Sequence, residues 1–312
     1  MAKIIYGETY VDFPDEKSKA TMLNDLSIED YHDMGNVFKY GKNAIFSKSQ
    51  LGLMDCPAKF KYEYIDGAEK EEKDFLIVGN AVHMLALEPD LFHSRIYLLP
   101  EGVRRDKRTD VYQKHLEAAN GRKIITAGDF VDIQGMAKSL ASNKKAMCLL
   151  QASGKIEASI FWQDEESGFN LRCRPDFMRD DGLIVDLKTA VSAEPNEFAR
   201  SAFDCHYDVS VGMTVDGVEK LIGKKPDNYV FLVVEKKAPY IIEAYDSFRP
   251  WDKDDLAKTT YLDAGSYRYR KSLDKLGECF KTGIWGGYSD SINPMSVPRY
   301  AMKKLENGEN NV

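Results

Sequence analysis

The segment LIVDLKTA, residues 183–190, places two charged side chains inside a strand-like apolar run. Asp186 and Lys188 interrupt residues that are otherwise typical of a strand covered on both faces. Because side chains alternate across a strand, residues two positions apart project from one face, about 6 to 7 Å from each other. Ionised groups are costly to bury unless they pair or hold a metal, so the pattern predicts a structural ion pair or a catalytic site. On this segment alone, the ion pair is the simpler interpretation.

A further carboxylate precedes this strand, in the segment RPDF at residues 174–177. Pro175 lacks a backbone donor, which is typical of a strand edge or bulge where the sheet opens. We therefore expect Asp176 to face Asp186 across a hairpin. Neighbouring carboxylates repel each other unless a cation lies between them, and such oxygen ligands bind Mg²⁺. Lys188 beside them would offer a positive charge to a phosphate or orient an attacking water.

Composition limits the classes to which the protein can belong. The chain has 312 residues with 43% hydrophobic content, enough for one large domain or two ordinary ones. No apolar run approaches the roughly 20 residues needed to span a bilayer, and the amino terminus lacks the apolar core of a signal peptide, so we expect a cytoplasmic protein without a membrane partner. The net charge of −7 argues against a uniformly basic nucleic-acid binder, although local clusters of basic residues could still line a groove.

Hydrophobic periodicity predicts a mixed α/β core between helical layers. Residues 1–44 are polar and irregular and are expected to form a peripheral arm. The run FLIVGNAVHMLALEP predicts a helix, and a lone histidine such as His83 on an apolar helix is more often a core residue than a ligand. The runs IEASIFWQD, FNLRCRPDFMR and GLIVDLKTA are separated by turn signals and predict an antiparallel meander. A helix, two more strands and a long helix over about 251–282 follow.

The motif RPDF at 174–177 followed by VDLKT at 185–189 resembles the PD-(D/E)XK nuclease motif. The run GNAVHMLALEP resembles the helix of RecB-type nucleases that supplies a metal-binding histidine. EASIFWQDEESGFNLRCRPDF resembles the same region of RecE-type exonucleases, also called exonuclease VIII. The segments FSKSQL, YVFLVVEKKAPY and CFKTGIWGGY extend this similarity over roughly residues 45–290. Most of the chain is thus similar to the RecE-like exonucleases of phages and prophages.

This resemblance implies an α/β fold with a restriction-endonuclease-like core, in which a mixed central sheet is flanked by helices and further helices stand at both ends. It implies a peripheral arm over residues 1–44, a nuclease domain over 45–290 and a C-terminal tail over 291–312.

The resemblance also implies a metal site. His83, Asp176 and Asp186 would be ligands of Mg²⁺ or Mn²⁺, with the Leu187 carbonyl as a further candidate and Lys188 as the catalytic lysine. An imidazole is an unusual ligand of Mg²⁺ but a good one of Mn²⁺.

Glu157 is a candidate catalytic residue because it opens the strand neighbouring the motif, where it could position water or a second metal. An ordinary exposed strand-end glutamate explains it equally well.

Basic and hydroxyl side chains are candidates for DNA contacts. Arg172 and Arg174 alternate onto one face of their strand, and guanidinium groups bind phosphate well, although Arg174 could equally pair with a carboxylate. Ser47, Lys48 and Ser49 lie at a predicted helix start, where a terminal 5′-phosphate could bind. Simple N-capping by one of the two serines is the simpler explanation.

The helix after the catalytic strand departs from the nuclease pattern. RecB-like nucleases usually carry a glutamine there with a tyrosine four residues on, and Ser210 and Thr214 stand at those places. Both are too short to reach the same groups. Either a nearby polar residue such as His206, Tyr207 or Asp208 compensates, or activity is reduced, or the chain has been altered.

The resemblance implies a metal-dependent exonuclease that degrades one strand of linear double-stranded DNA from 5′ to 3′, leaving 3′ tails for annealing-type recombination. It implies a ring-shaped homo-oligomer, a tetramer, and a single-strand annealing partner of the RecT kind in the cytoplasm of a bacterial host. Two alternatives remain open at this point. One is an endonuclease or single-strand nuclease of the same fold; the other, suggested by Ser210 and Thr214, is a catalytically weakened DNA-end-binding recombination protein.

Overall fold

The fold comes from a computed structural model of the chain. It describes residues 19–68, 74–250 and 259–297, together with Met302 and the backbone of two short strands near the N-terminus. The expected start of the last helix near Trp251 and most of the expected tail lie outside the described residues.

The chain contains runs of consecutive strands and runs of consecutive helices. The strands are β1 (Lys3–Tyr6), β2 (Thr9–Asp12), β3 (Ala20–Leu23), β4 (Ile45–Phe46), β5 (Ile96–Leu98), β6 (Lys123–Ile125), β7 (Gly154–Ile156), β8 (Ser159–Gln163), β9 (Asn170–Cys173), β10 (Phe177–Arg179), β11 (Leu183–Ala190), β12 (Asn228–Glu235) and β13 (Ile242–Asp246). The helices are α1 (Ile28–Asp33), α2 (Val37–Tyr40), α3 (Lys48–Leu51), α4 (Pro57–Phe60), α5 (Asp74–Leu87), α6 (Phe92–Arg95), α7 (Asp110–Ala119), α8 (Ala127–Ser142), α9 (Lys144–Leu150), α10 (Pro195–Asp204), α11 (Tyr207–Ile222) and α12 (Tyr261–Thr282).

Two larger sheets form the centre of the described part of the chain. One has five strands in the order β13-β12-β11-β10-β7, in which β11 and β12 are parallel and the other neighbours are antiparallel. The other has the order β3-β8-β9-β4. The segment LIVDLKTA is β11, and its residues Ile184, Val185 and Leu187 are buried. The prediction of a strand covered on both faces is confirmed.

Helices cover both faces of the five-stranded sheet. Ile184 and Phe231 belong to a core shared with α11 and α12 on one face. Val185 and Leu187 belong to a second core shared with α5 and α8 on the other face. The predicted mixed α/β fold with flanking helices is therefore confirmed. Among the described residues, no helix is both long and apolar enough to cross a membrane.

The predicted meander is wrong at one point, because its strands belong to different sheets. β8 and β9 form a hairpin in the four-stranded sheet, whereas β10 and β11 form a hairpin in the five-stranded sheet. The chain passes from one sheet to the other at residues 174–176, between the end of β9 and the start of β10. Pro175 has no backbone N–H. The interruption of both sheets at this residue therefore leaves no backbone donor of Pro175 without a hydrogen bond. Asp176 consequently lies at the junction of the two sheets.

The expectation of a peripheral arm is wrong for residues 20–44. β3 pairs with β8 in the four-stranded sheet, and Tyr31, Met34 and Val37 are buried. The few apolar residues of this polar segment are separated by turns, so no periodicity marks them as core positions. The segment covers one face of the sheet that carries β8 and β9.

The start of α11 is fixed against α12. A Cβ atom on Gly265 would lie 1.8 Å from the Asp208 carbonyl oxygen, so only glycine permits this approach. Arg268 of α12 donates hydrogen bonds of 3.0 Å to both carboxylate oxygens of the buried Asp208. These contacts set the position of Tyr207, the first residue of α11.

Candidate active site

Several elements bring titratable side chains together beside residues 174–176, where the chain passes from one sheet to the other. His83 comes from α5, Glu157 follows β7, Asp176 lies between β9 and β10, and Asp186 and Lys188 come from β11. The residues are far apart in sequence, and the two hairpins and α5 place them in one site.

A three-residue cluster with the character of a metal site lies at its centre. One nitrogen of His83 and one carboxylate oxygen each of Glu157 and Asp176 lie within 4.8 Å of one another. His83 Nδ1 is 3.4 Å from Asp176 Oδ2. All three residues are partly buried. An imidazole with two carboxylates is a donor set suited to a divalent cation, and the imidazole favours Mn²⁺ over Mg²⁺.

Asp186 lies beside this cluster and has its own partners. Lys188 Nζ forms an ion pair with Asp186 Oδ1, and the Tyr229 hydroxyl donates a hydrogen bond of 2.6 Å to Asp186 Oδ2. Asp186 also makes side-chain contact with Asp176. The ion pair expected from LIVDLKTA is thus present, and it lies at the edge of the candidate metal site.

The pKa values of the two aspartates are shifted in opposite directions. Burial tends to raise the pKa of Asp176, but His83 and Lys188 more than offset this and hold it well below its usual value. Burial raises the pKa of Asp186 to about 6, although Lys188 opposes the rise. Asp176 also accepts a hydrogen bond of 2.7 Å from the Leu187 N–H, while the Leu187 carbonyl lies 3.5 Å from Lys188 Nζ. Asp176 is therefore the fixed anion of the pair.

Glu157 occupies a strained backbone position. Its φ angle is +50°, in the left-handed region, which costs a residue other than glycine about 1 kcal/mol. Its N–H donates to the Asp176 carbonyl at 3.1 Å. Burial, and then the Asp176 carboxylate, raises the pKa of Glu157 to about 8. Burial and the neighbouring carboxylate thus disfavour the ionised form of Glu157, a penalty that a bound cation would relieve.

We expect Glu157→Gln to stabilise the protein in the absence of metal, by an amount that grows as pH rises above about 4.5 and levels off near pH 8. Glu157 binds its proton more tightly in the folded state, so its contribution favours folding at low pH and is lost as pH rises from about 4.5 to about 8. Calorimetry in a chelator should show a gain on the order of several kcal/mol at pH 8.5, or roughly 10 °C in Tm, and little gain at pH 5. The exposed Glu278→Gln is the control. Equal shifts at both pH values would contradict the raised pKa.

A second basic group accompanies Lys188. The ammonium groups of Lys48 and Lys188 lie over the Tyr207 ring, 5.0 and 5.2 Å from its centroid. Burial, and then the neighbouring Lys188, lowers the pKa of Lys48 to about 8. Two ammonium groups held this close together attract an anion, which reduces their mutual repulsion.

The serines beside Lys48 have local roles. The side chain and N–H of Ser47 approach Gln50 Oε1 at 3.3 and 3.0 Å in a capping box at the start of α3. Ser49 is exposed on the same four-residue helix. Their predicted role in binding DNA stays a prediction.

The prediction that Arg172 contacts DNA is wrong. Its side chain is buried and donates to the Tyr31 carbonyl. Arg174 donates hydrogen bonds of 2.8 Å to Ser159 Oγ and to the Leu26 carbonyl. Both guanidinium groups lie 4.4 Å from the centroid of the Tyr31 ring. The two arginines do share a face, but the segment 20–44 covers that face.

Ser210 and Thr214 pack towards the sheets. Thr214 is buried beside Cys173 of β9, and Ser210 lies beside the Tyr229 hydroxyl. Neither serves as a direct replacement for a long polar side chain.

Of the three residues suggested to compensate, Tyr207 is the one whose ring contacts the two ammonium groups. His206 and Asp208 instead contact Arg268. The ring of Tyr207 therefore forms part of the candidate site.

Comparison with known proteins identifies the family. Residues 47–297 match the family described as "PDDEXK-like domain of unknown function (DUF3799)". The chain belongs to this family. It is thus a member of the PD-(D/E)XK nuclease superfamily, which the sequence motif predicted. This membership supports the prediction of a hydrolytic nuclease. Nuclease members of this superfamily use divalent metals, as the cluster of His83, Glu157 and Asp176 would allow.

A solved structure is similar in fold to this DUF3799 member. The crystal structure of a Eubacterium rectale protein named "Putative exonuclease" has a TM-score of 0.57 and 13% identity, covering 89% of this chain and 98% of that one. An alkaline exonuclease from Laribacter hongkongensis has a TM-score of 0.26 and 10% identity, covering 57% of this chain and 87% of that one. A search of curated proteins gives no match. The likeness to the Eubacterium rectale structure supports the fold, and the RecE-type assignment stays a prediction.

Proposed function

We propose that the protein is a metal-dependent exonuclease of the RecE type, which degrades one strand of linear double-stranded DNA from 5′ to 3′. The observation that carries this proposal is the cluster of His83, Glu157 and Asp176 beside the ion pair of Asp186 and Lys188. Hard oxygen ligands with a nearby fixed ammonium group suit phosphodiester hydrolysis.

His83, Glu157 and Asp176 would hold Mg²⁺ or Mn²⁺, with Asp186 and the Leu187 carbonyl as further ligands. The bound ion would supply an activated water and neutralise charge that develops on the phosphate. Burial tends to lower the pKa of Lys188, but Asp186 and Asp176 raise it above its usual value. Lys188 therefore stays protonated at neutral pH, so we assign it electrostatic stabilisation of the phosphate rather than a role as a base.

The proposed end-binding site contains Lys48, Tyr207 and Lys188. Its positive charge suits a terminal 5′-phosphate, and an aromatic ring can stack against a base or support the two ammonium groups. This arrangement would place the end of one strand beside the metal cluster.

The remaining proposals rest on the sequence resemblance alone. They are a ring-shaped homo-oligomer, a tetramer, around duplex DNA, an annealing partner of the RecT kind, and a cytoplasmic location in a bacterial host. We also propose a nuclease domain that includes β3 and continues to about residue 290, followed by the tail over 291–312.

Three substrates test this function. Linear duplex labelled at either the 5′ or the 3′ end is incubated with Mn²⁺ or Mg²⁺, alongside covalently closed circles. We expect early release of the 5′ label, late release of the 3′ label and intact circles. Cutting of the circles would favour an endonuclease. Binding to ends without nucleotide release would favour the DNA-end-binding alternative raised by Ser210 and Thr214.

Lys48→Ala should remove the preference for 5′-phosphorylated ends. We expect KM for a phosphorylated duplex to rise about tenfold, because a charge-assisted contact contributes roughly 1.5 kcal/mol, while KM for a 5′-hydroxyl duplex changes less than twofold. Steady-state kinetics on both duplexes measure this. Lys271→Ala on α12, whose ammonium group also lies over a tyrosine ring, is the control. An equal rise on both substrates would exclude a contact with the terminal phosphate.

A further inference from the structure

The Tyr229 side chain lies directly behind the candidate metal site. Tyr229 is 1% exposed, and its hydroxyl donates a hydrogen bond of 2.6 Å to Asp186 Oδ2. The other oxygen of Asp186 pairs with Lys188. Both carboxylate oxygens are thus engaged, and the plane of the carboxylate is fixed.

Strand register explains how Tyr229 reaches Asp186. Tyr229 of β12 pairs with Ile184 of the parallel strand β11, and Asp186 lies two residues further along the same face. A tyrosine is long enough to reach such a diagonal neighbour. The ring also makes an edge contact with Phe231, with centroids 5.3 Å apart, which restricts its movement.

Ser210 completes a short chain of polar groups. Its hydroxyl lies beside the Tyr229 hydroxyl and acts to lower the pKa of that phenol, although burial and Asp186 raise this pKa far more. The phenol donates to Asp186, and the Ser210 hydroxyl stands on the other side of this contact. The serine at the place of the usual glutamine therefore acts behind the site, through Tyr229.

We propose that Tyr229, supported by Ser210, is a positioning residue that orients the Asp186 carboxylate towards Asp176 and Lys188. This inference rests on the proposed function, in which Asp186 is a metal ligand. Removing a hydrogen-bond partner behind a metal ligand commonly lowers metal affinity or activity by 10- to 100-fold. Without the hydroxyl, the Asp186 carboxylate can rotate away from Asp176, because only Lys188 still holds it.

Tyr229→Phe tests the proposal, with Tyr269→Phe as a matched control. Tyr269 is also buried and donates to an aspartate, Asp216 Oδ2, at 3.0 Å. Mn²⁺ binding is measured by electron paramagnetic resonance, and cleavage by kcat and KM on linear duplex. We expect Tyr229→Phe to raise the Kd for Mn²⁺ and lower kcat by about 10-fold or more, with little change in KM for DNA.

The outcomes separate this inference from the proposed function. The positioning role would be overturned if Tyr229→Phe bound Mn²⁺ with an affinity within twofold of the unmutated protein. It would also be overturned if both tyrosine variants lost Mn²⁺ affinity equally. If Tyr229→Phe does not fold, Ser210→Ala replaces it, with an expected loss of about threefold in Mn²⁺ affinity. An unchanged affinity in that variant would likewise overturn the role. An unmutated protein that binds Mn²⁺ but never cleaves DNA would contradict the proposed function, and the Mn²⁺ comparison would still decide the role of Tyr229.

Discussion

Lys188→Ala is expected to lower kcat on linear duplex DNA by about 10²- to 10³-fold, the usual effect of removing one fixed donor that stabilises a developing negative charge. Lys188 Nζ contacts Asp186 and stays protonated, so its charge is available to the phosphate. Because Lys188 also opposes the raised pKa of Asp186, its loss should raise that pKa above about 6. The acidic limb of the residual pH–rate profile should therefore move to higher pH.

Lys220→Ala is a closely matched control for this variant. Lys220 pairs with Asp216 at 2.6 Å, and its side chain is 19% exposed, the same fraction as that of Lys188. We expect Lys220→Ala to retain activity within about threefold. If Lys188→Ala were as active as this control, Lys188 would be only a structural partner of Asp186.

Asp176→Asn is expected to abolish Mn²⁺ binding and to lower kcat by at least about 10³-fold. Asp176 contacts His83 and Asp186 and is the carboxylate whose pKa the site holds lowest. Asparagine retains an oxygen that can accept from the Leu187 N–H, so the local backbone contact survives while the ligand charge is lost. Isothermal titration with Mn²⁺ and single-turnover cleavage measure the two effects.

Asp132→Asn is the control for Asp176→Asn, because it removes a partly buried carboxylate outside the candidate site. Asp132 accepts from Lys237 at 2.6 Å and from Tyr240 at 3.1 Å, and its side chain is 22% exposed. This variant should bind Mn²⁺ and cleave DNA like the unmutated protein. Tight Mn²⁺ binding by Asp176→Asn would show that the metal lies elsewhere.

The catalytic strand was predictable because its information is local. Alternation along LIVDLKTA placed Asp186 and Lys188 on one face, and β11 has the length and burial that its apolar residues indicate. Pro175 correctly marked an interruption of the sheet. The helix that carries His83 also followed from periodicity, although its place in the site came from the family resemblance.

Other features depend on contacts between distant segments. The burial of Arg172 depends on the segment 20–44, whose polar composition gave no sign that it covers the four-stranded sheet. The left-handed backbone of Glu157 has no local sequence signature, since no glycine or asparagine marks it. Tyr229 reads as an ordinary apolar strand residue, and only the register of β11 with β12 brings it to Asp186.

Anomalous X-ray scattering from crystals grown with Mn²⁺ tests the proposed metal centre most directly. We predict a manganese peak about 2 to 2.5 Å from a ring nitrogen of His83 and from carboxylate oxygens of Glu157 and Asp176. The peak should disappear in crystals of Asp176→Asn. Mn²⁺-dependent cleavage of DNA by a protein with no manganese peak at these three residues would contradict the proposed site.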